Sequence, residues 1–387
     1  MTTQPRTIVV GGGTMGLAAA WALARRGAPV TVLERFSHVH ELGSHSGFTR
    51  IIRESYHEGA GYVPLVRRAD ALWRELEARA GETLLVRTGM FECGPPGDPG
   101  YESTLAACRE AAVEHELLTA AAARGRLPFA VPDGWSGVFT PSAGYLRVGT
   151  CLDALRREAM SFGAEFRYGV RVRELALGDR ARVLLDGGEV LAADRVVVAA
   201  GAYLPELLPG FLPGRLTVLR RVLAWTRPSA AEAERLAALP VWGVFAPEGF
   251  FYGFPHADEG VRGFKLACHV PVHHADGGEV GVDPEAVDRA VHPADLSPLA
   301  EFIDRYLPAA RGDFVHAAVC FYTCTPSWDF VIDHVPGDSR AWIAGGFSGH
   351  GFKFAPAIGE LLADAIVTGA APAALLPFAR ARHLAQR

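Results

Sequence analysis

Two of the 38 basic residues are lysines, Lys265 and Lys353, and all the others are arginines. Where a position needs nothing but positive charge, this chain uses arginine. A retained lysine marks a place that calls for a compact ammonium whose pKa can move on burial, which a guanidinium does not provide. Both lysines sit in apolar, glycine-punctuated runs, "RGFKLACH" and "GFSGHGFKFAP", and not on charged helical faces. The rival explanation is codon bias toward arginine with two chance survivors, and the flanking motifs decide between the two. His269 follows Lys265 by four residues, so on a strand the two share one face and one pocket. In "HELGSHSGFTRIIRESYHEG", Arg50 and Arg53 are three apart and would lie on one side of a helical turn if that segment is helical. Paired cations hold a carboxylate, and a buried ammonium stabilises charge that develops on a reacting group.

These side chains need a scaffold, and the first 36 residues supply part of it. Ile8 to Val10 is a short apolar run of the buried parallel-strand type. Gly11, Gly13 and Gly16 then form G-x-G-x-x-G, and Ala18, Ala19 and Ala20 open a helix that ends at Gly27. A second strand, Val30 to Leu33, leads into Glu34, 18 residues beyond Gly16. In such a unit the first two glycines let the backbone approach a pyrophosphate and the third permits close helix–strand packing. The helix N-terminus faces the phosphates and the acid takes ribose hydroxyls. The glycine pattern alone is weak, but strand, helix, second strand and acid all stand at the required distances. The unit does not choose between FAD and NAD. The polar segment that follows, where an NAD dehydrogenase continues into another βα unit, reads as a loop entering the cofactor crevice with cations.

Composition narrows the alternatives. At 387 residues the chain exceeds what one core usually supports, so two domains are expected. It is 49% hydrophobic and 21% charged with a net charge of −5, and no basic patch with interleaved aromatics points to nucleic acid. The six cysteines have neither disulfide-framework nor zinc spacing. No signal peptide and no run of ~20 apolar residues is seen, so a cytoplasmic protein away from membranes is expected. Helices are read over 62–80, 103–123, 149–162 and 283–307, strands over 84–95 and 137–148, and an antiparallel sheet over 216–280. Val196 to Ala200 and Ala341 to Ala344 read as parallel strands returning to the first unit. A helix beginning near Ala355 would aim its positive end at the cofactor.

Taken in order, "VVGGGTMG", "GSHSGFTRIIR", "FYGFP", "GFKLACH", "CFYT" and "AGGFSGHGFKF" resemble the monomeric sarcosine oxidase family, which includes N-methyltryptophan and pipecolate oxidases. The resemblance runs from about residue 6 to residue 370. It implies an α/β fold of the p-hydroxybenzoate-hydroxylase type, with a Rossmann-type FAD-binding domain (1–84, 145–215 and 320–387) interwoven with an antiparallel-sheet substrate domain (85–144 and 216–319). It also implies a monomer with one FAD, oxidising small secondary amino acids and reducing oxygen to hydrogen peroxide. Carried over by position, Cys320 becomes the covalent flavin link and Lys265 the group that promotes oxygen reduction. Arg53 and Lys353 hold the substrate carboxylate, and His269, Tyr252 and Tyr322 border the substrate. Cofactor-facing positions are Gly11, Gly13, Thr14, Met15, Gly16, Glu34, Arg35, Ser44, His45, Thr49 and Arg50. Val172, Gly201, Gly346, Phe347, Gly349, Gly351 and Lys353 complete that set, and no metal is implied.

Taken alone, Cys320 would read as a small core residue and His269 as a satisfied core histidine. Cys93, Cys108, Cys151, Cys268 and Cys324 read as structural, and His273 and His274 as a solvated turn. Three departures stand out. The cofactor loop has His45, Ser46 and Phe48 where the family often has two histidines and an acid. The hairpin between Pro255 and Lys265 is two residues longer than expected. Gly243 falls where the sarcosine enzymes carry a bulky methionine, so an enlarged pocket is expected there. Sarcosine is the first substrate expected, with bulkier N-methyl or cyclic amino acids as the alternative. A dehydrogenase passing electrons to a carrier and a flavin-bearing protein without turnover are the other readings. No second fingerprint for a pyridine nucleotide is present.

Overall fold

A computed structural model describes residues 4–178, 180–271 and 280–385. His273 and His274 lie outside the described residues. Strand Thr7–Val10 is buried at every position, as is Val30–Leu33. They form the centre of a six-stranded sheet in the order Val331–Val335, Asp338–Gly345, Arg195–Val198, Thr7–Val10, Val30–Leu33, Glu165–Arg167. All neighbours in it are parallel except the first pair. The helix Thr14–Ala24 crosses this sheet and is apolar all round, because other helices cover it as well. Its small residues are required there. A Cβ on Gly359 of helix Ala355–Thr368 would stand 2.5 Å from the Ala18 backbone, and one on Gly16 only 1.8 Å from the Gly11 carbonyl oxygen. The third glycine of the motif thus serves helix–strand packing, as its position implies.

The second large sheet has nine strands. Eight run in the order Asp313–Cys324, Thr217–Arg227, Val261–Pro271, Gly249–Gly253, Val241–Ala246, Met90–Gly94, Ser136–Thr140, Glu116–Thr119, and Ala257–Glu259 pairs with Val261–Pro271 off this path. It is mixed and not purely antiparallel, because Val241–Ala246 runs parallel to Met90–Gly94. The chain goes from the first sheet to the second and back twice, so the two units are interwoven. Strand Asp313–Cys324 belongs to the second sheet along its whole length, so a boundary at residue 320 falls inside a strand.

Three sequence expectations need correction. The stretch 103–123 is not one helix: Pro99–Glu110 ends, Glu116–Thr119 pairs at the sheet edge, and Ala120–Arg126 starts anew with Thr119 as N-cap. Alanine-rich composition hid the break at "VEHELLT", where Leu117 and Leu118 take strand geometry. Only Pro293–Tyr306 of 283–307 is helical, and 280–292 instead forms an irregular strap with a turn at 284–286. Arg50 is not on a helix: Thr49–Ile52 is a strand paired with Gly144–Arg147, and Arg53 follows it.

Candidate cofactor and substrate site

The two sheets face each other across a cavity of about 460 Å³. Gly11, Gly13, Thr14, Met15, Glu34 and Arg35 line it from the N-terminal unit, and Ser44, His45 and Arg50 from the loop after it. Val172 and Gly201 border one end. Tyr252, Cys320 and Tyr322 come from the nine-stranded sheet, and Gly346, Phe347, Gly349 and Gly351 from the C-terminal glycine loop. Gly16, Thr49, Lys265, His269, Arg53, Lys353 and Gly243 do not line it.

The lining fits a dinucleotide. Helix Thr14–Ala24 begins at Gly13 with no side chain capping its first N–H groups, which leaves donors for phosphate oxygens. The Glu34 carboxylate accepts from the Gly12 N–H at 2.7 Å and the Phe36 N–H at 2.8 Å, and so sits fixed at the cavity's inner end. Arg35 lies between the Phe36 and Tyr203 rings, 4.7 and 4.6 Å from their centroids, and pairs with Glu285 of the strap. His45 is buried, burial pushes its pKa down to about 3, and its Nε2 has no protein partner. An orphaned polar atom on a cavity wall fits a ligand that supplies the missing partner. Gly349 has φ +79°, and a Cβ there would stand 2.3 Å from the Tyr322 ring, so the glycine loop closes directly onto the reactive sheet face.

Strand alternation gathers the chemistry on that face. Lys265, Ala267 and His269 point the same way on Val261–Pro271; Ala267 is registered with Tyr252 and with Leu223. Across Thr217–Arg227, Arg221 faces Cys320 and Leu219 faces Tyr322. Arg50 Nη2 donates to the Cys320 sulfur at 3.6 Å and to the Ser44 and Ser46 carbonyls at 3.1 and 2.6 Å. The guanidinium thus meets the sulfur on the cavity wall. Lys265 is 3% exposed. Its Nζ donates to the Gly47 carbonyl, to the Thr49 carbonyl at 2.8 Å and to Thr49 Oγ1 at 3.0 Å. It also lies 4.4 Å from the Phe254 ring centroid and 5.3 Å from that of Trp225. Burial and then Arg50 pull its pKa well below the usual lysine range, while three acceptors match the three protons of an ammonium.

A second group of charges lies beside this face. Arg53 and Lys353 flank the Tyr56 ring, 4.5 and 5.2 Å from its centroid. Lys353 Nζ donates to the His350 carbonyl at 2.8 Å, and burial, then Arg53, push its pKa down to about 7. Arg53 Nη2 reaches Glu58 Oε2 at 2.9 Å and His57 Nδ1 at 2.9 Å. A guanidinium only donates, so Nδ1 accepts and the His57 proton is on Nε2, 3.4 Å from Glu58 Oε1. Burial raises the Glu58 pKa, but Arg53, His57, His350 and Lys353 together outweigh it and hold the carboxyl well below the usual range. His57, Glu58 and His269 bring ligand-type atoms within 4.8 Å of one another. Arg53 already balances that carboxylate, and we assign no metal there.

Gly243 does not enlarge the pocket. It is registered with Tyr252, and a Cβ on it would stand 2.8 Å from the Phe250 ring and 3.4 Å from Met90 Cε. Phe250 fills the space that a larger residue would take. Sequence reasoning also passed over His57, Glu58 and Glu92. The first two were legible as polar residues in "RESYHEG", directly after Arg53. Glu92 had no such signal, being one acid within an apolar strand. It is fully buried, its Oε2 bonds Ser55 Oγ, and the Ser55 carbonyl accepts from Arg53. Burial pushes the Glu92 pKa up to about 7.

A profile of FAD-dependent oxidoreductases matches residues 6–365. The chain is similar to a monomeric sarcosine oxidase of Bacillus sp. (strain B-0618), 34% identical over 374 residues, covering 95% of this chain and 94% of the relative. It is similar to an N-methyl-L-tryptophan oxidase of Yersinia pestis (strain Pestoides F), 33% identical over 362 residues and covering 92% and 93%. Among solved structures, the open form of NikD, an amino acid oxidase essential for nikkomycin biosynthesis, superposes with a TM-score of 0.82 at 27% identity, covering 98% of each chain.

Proposed function

The chain belongs to the FAD-dependent oxidoreductase family, and from that premise we propose that it oxidises small secondary amino acids, sarcosine first among them, with oxygen as electron acceptor. The products from sarcosine are glycine, formaldehyde and hydrogen peroxide. The observation that carries this reading is the pairing of Arg53 and Lys353 around Tyr56, beside a sheet face that bears Cys320, Tyr322, Tyr252, His269 and Lys265.

In this reading Arg53 and Lys353 take the substrate carboxylate, Arg53 with a fork suited to two oxygens. The amine must be neutral to give up electrons. His269, held neutral by burial, has Nδ1 3.0 Å from the Tyr322 hydroxyl. Tyr322 is also hydrogen-bonded to Tyr252; in the proposed arrangement its hydroxyl donates there, Nδ1–H points at Tyr322 and Nε2 is the atom that accepts the amine proton. Bound FAD supplies the acceptor for the two electrons that leave the substrate. Cys320 would be the residue that tethers the cofactor, with Arg50 beside its sulfur. Lys265 supplies positive charge where oxygen is reduced. We assign residues 1–84, 145–215 and the chain after Cys324 to cofactor binding and 85–144 and 216–324 to the substrate side, so that strand Asp313–Cys324 stays whole, in a cytoplasmic monomer that acts on small molecules.

The test is an anaerobic titration of the yellow protein with sarcosine, followed at the flavin absorbance band. Bleaching that air reverses with peroxide release supports the reading; no bleaching with sarcosine, N-methyl-alanine or proline overturns it. Acid precipitation of the same preparation should leave the colour with the protein.

Affinity for a carboxylate should depend on pH in a set direction. Lys353 loses its charge, and Glu92 near Arg53 gains one, as pH rises through about 7. Binding favours the protonated form of both, so it takes up protons and weakens as pH climbs. Calorimetry with acetate between pH 6 and 8.5 should find a rising dissociation constant and proton uptake. A flat profile would remove Arg53 and Lys353 from the carboxylate site.

A further inference from the structure

We propose that Phe250 sets the upper size of the substrate side chain, standing in the space that Gly243 leaves open. The inference rests on the amino acid oxidation reading. In the antiparallel pair, Gly243 faces Tyr252 and Phe245 faces Phe250, so Phe250 is the diagonal neighbour of Gly243 on the reactive side. Its ring stacks on Phe245 with centroids 4.4 Å apart and leans over Gly243, where a Cβ would come within 2.8 Å of it. Glycine and phenylalanine are thus a matched pair. Any side chain at 243 would push the ring tip away.

The ring also links the two ends of the site. Its centroid is 5.0 Å from that of His57, whose Nδ1 accepts from Arg53. It is 5.9 Å from that of His269, whose Nδ1 bonds Tyr322. Both contacts are edge-to-face. An amino acid with its carboxylate on Arg53 and its nitrogen toward His269 has its α-carbon between those two residues. A substituent on that carbon then meets Phe250, the ring that spans them. Phe250 is only partly buried, so its truncation opens space without emptying the core of the sheet. Substrates with hydrogen or methyl at that position fit, and branched or aromatic substituents collide.

The experiment compares wild type, Phe250→Ala and Phe250→Leu as holoenzymes. For sarcosine, N-methyl-leucine and N-methyl-phenylalanine, kcat and KM are measured; for acetate and phenylacetate, dissociation constants are measured by calorimetry. Phe250→Ala should raise kcat/KM for N-methyl-phenylalanine relative to sarcosine by about tenfold or more, mostly through KM, with Phe250→Leu between. The phenylacetate-to-acetate affinity ratio should move by a similar factor. An unchanged ratio in both variants, or a wild type that prefers N-methyl-phenylalanine to sarcosine, overturns the assignment. If wild type oxidises none of the three, the oxidase reading has failed, while the calorimetric ratio still decides whether Phe250 limits size. Should the alanine variant not fold, the leucine variant carries the same comparison.

Discussion

Replacing Lys265 with methionine is expected to slow reoxidation of the reduced protein by oxygen roughly 100- to 1,000-fold, while anaerobic reduction by sarcosine changes little. The asymmetry follows from where the ammonium stands. It is buried and its partners are carbonyl and hydroxyl oxygens, with no carboxylate among them. Its charge is therefore left to act on negative charge arriving from elsewhere, and oxygen acquires such charge as it is reduced. The amino acid itself loses electrons and gains no negative charge, so its half-reaction depends on this lysine far less than oxygen reduction does. Methionine has similar length and keeps the contacts with Phe254 and Trp225. Stopped-flow traces of the two half-reactions check this. Equal slowing of both would place Lys265 in general support of the site, and no slowing of either would favour an electron carrier other than oxygen.

The second large effect is at Arg53. Arg53→Met should raise KM for sarcosine roughly 100-fold or more and also lower thermal stability, because two partners lose their cation at once. One is the substrate carboxylate and the other is Glu58, which is left as an uncompensated buried charge at a cost of roughly 3–5 kcal/mol. The double variant Arg53→Met/Glu58→Gln separates the two. Its melting temperature should recover most of the loss, since the stranded charge is gone. Its KM should stay high, since the fork is gone as well. Recovery of both would mean that Arg53 exists to balance Glu58 and does not bind substrate.

How far the sequence could reach depended on the kind of interaction involved. The N-terminal unit was legible because its demands are local: a glycine under a carbonyl at Gly16, a run of alanines where helices press together, an acid at the end of the second strand. Lys265 and His269 were legible as one face because strand periodicity fixes that without reference to any partner. Glu92 was not, since its meaning comes from Arg53 and Ser55, which the fold brings beside a strand nearly forty residues away. Gly243 was misjudged for the same reason. A glycine in sequence shows only a missing side chain, and whether the space stays empty depends on a residue across the hairpin. The helix expected over 103–123 failed because alanine-rich composition is silent about a short edge strand, whose geometry comes from its pairing with Ser136–Thr140.

The scarcity of lysine has a practical side. The chain has two, and both are buried, 3% and 6% exposed, within the site. Its surface cations are guanidiniums, so reagents that acylate amines find no lysine on the outside to modify. Coupling to activated supports, fluorescent esters and amine-directed cross-linkers have no exposed lysine to use. Any acylation that does reach a lysine side chain has entered the buried interior, and protection by a small carboxylate would mark Lys353 as the residue reached.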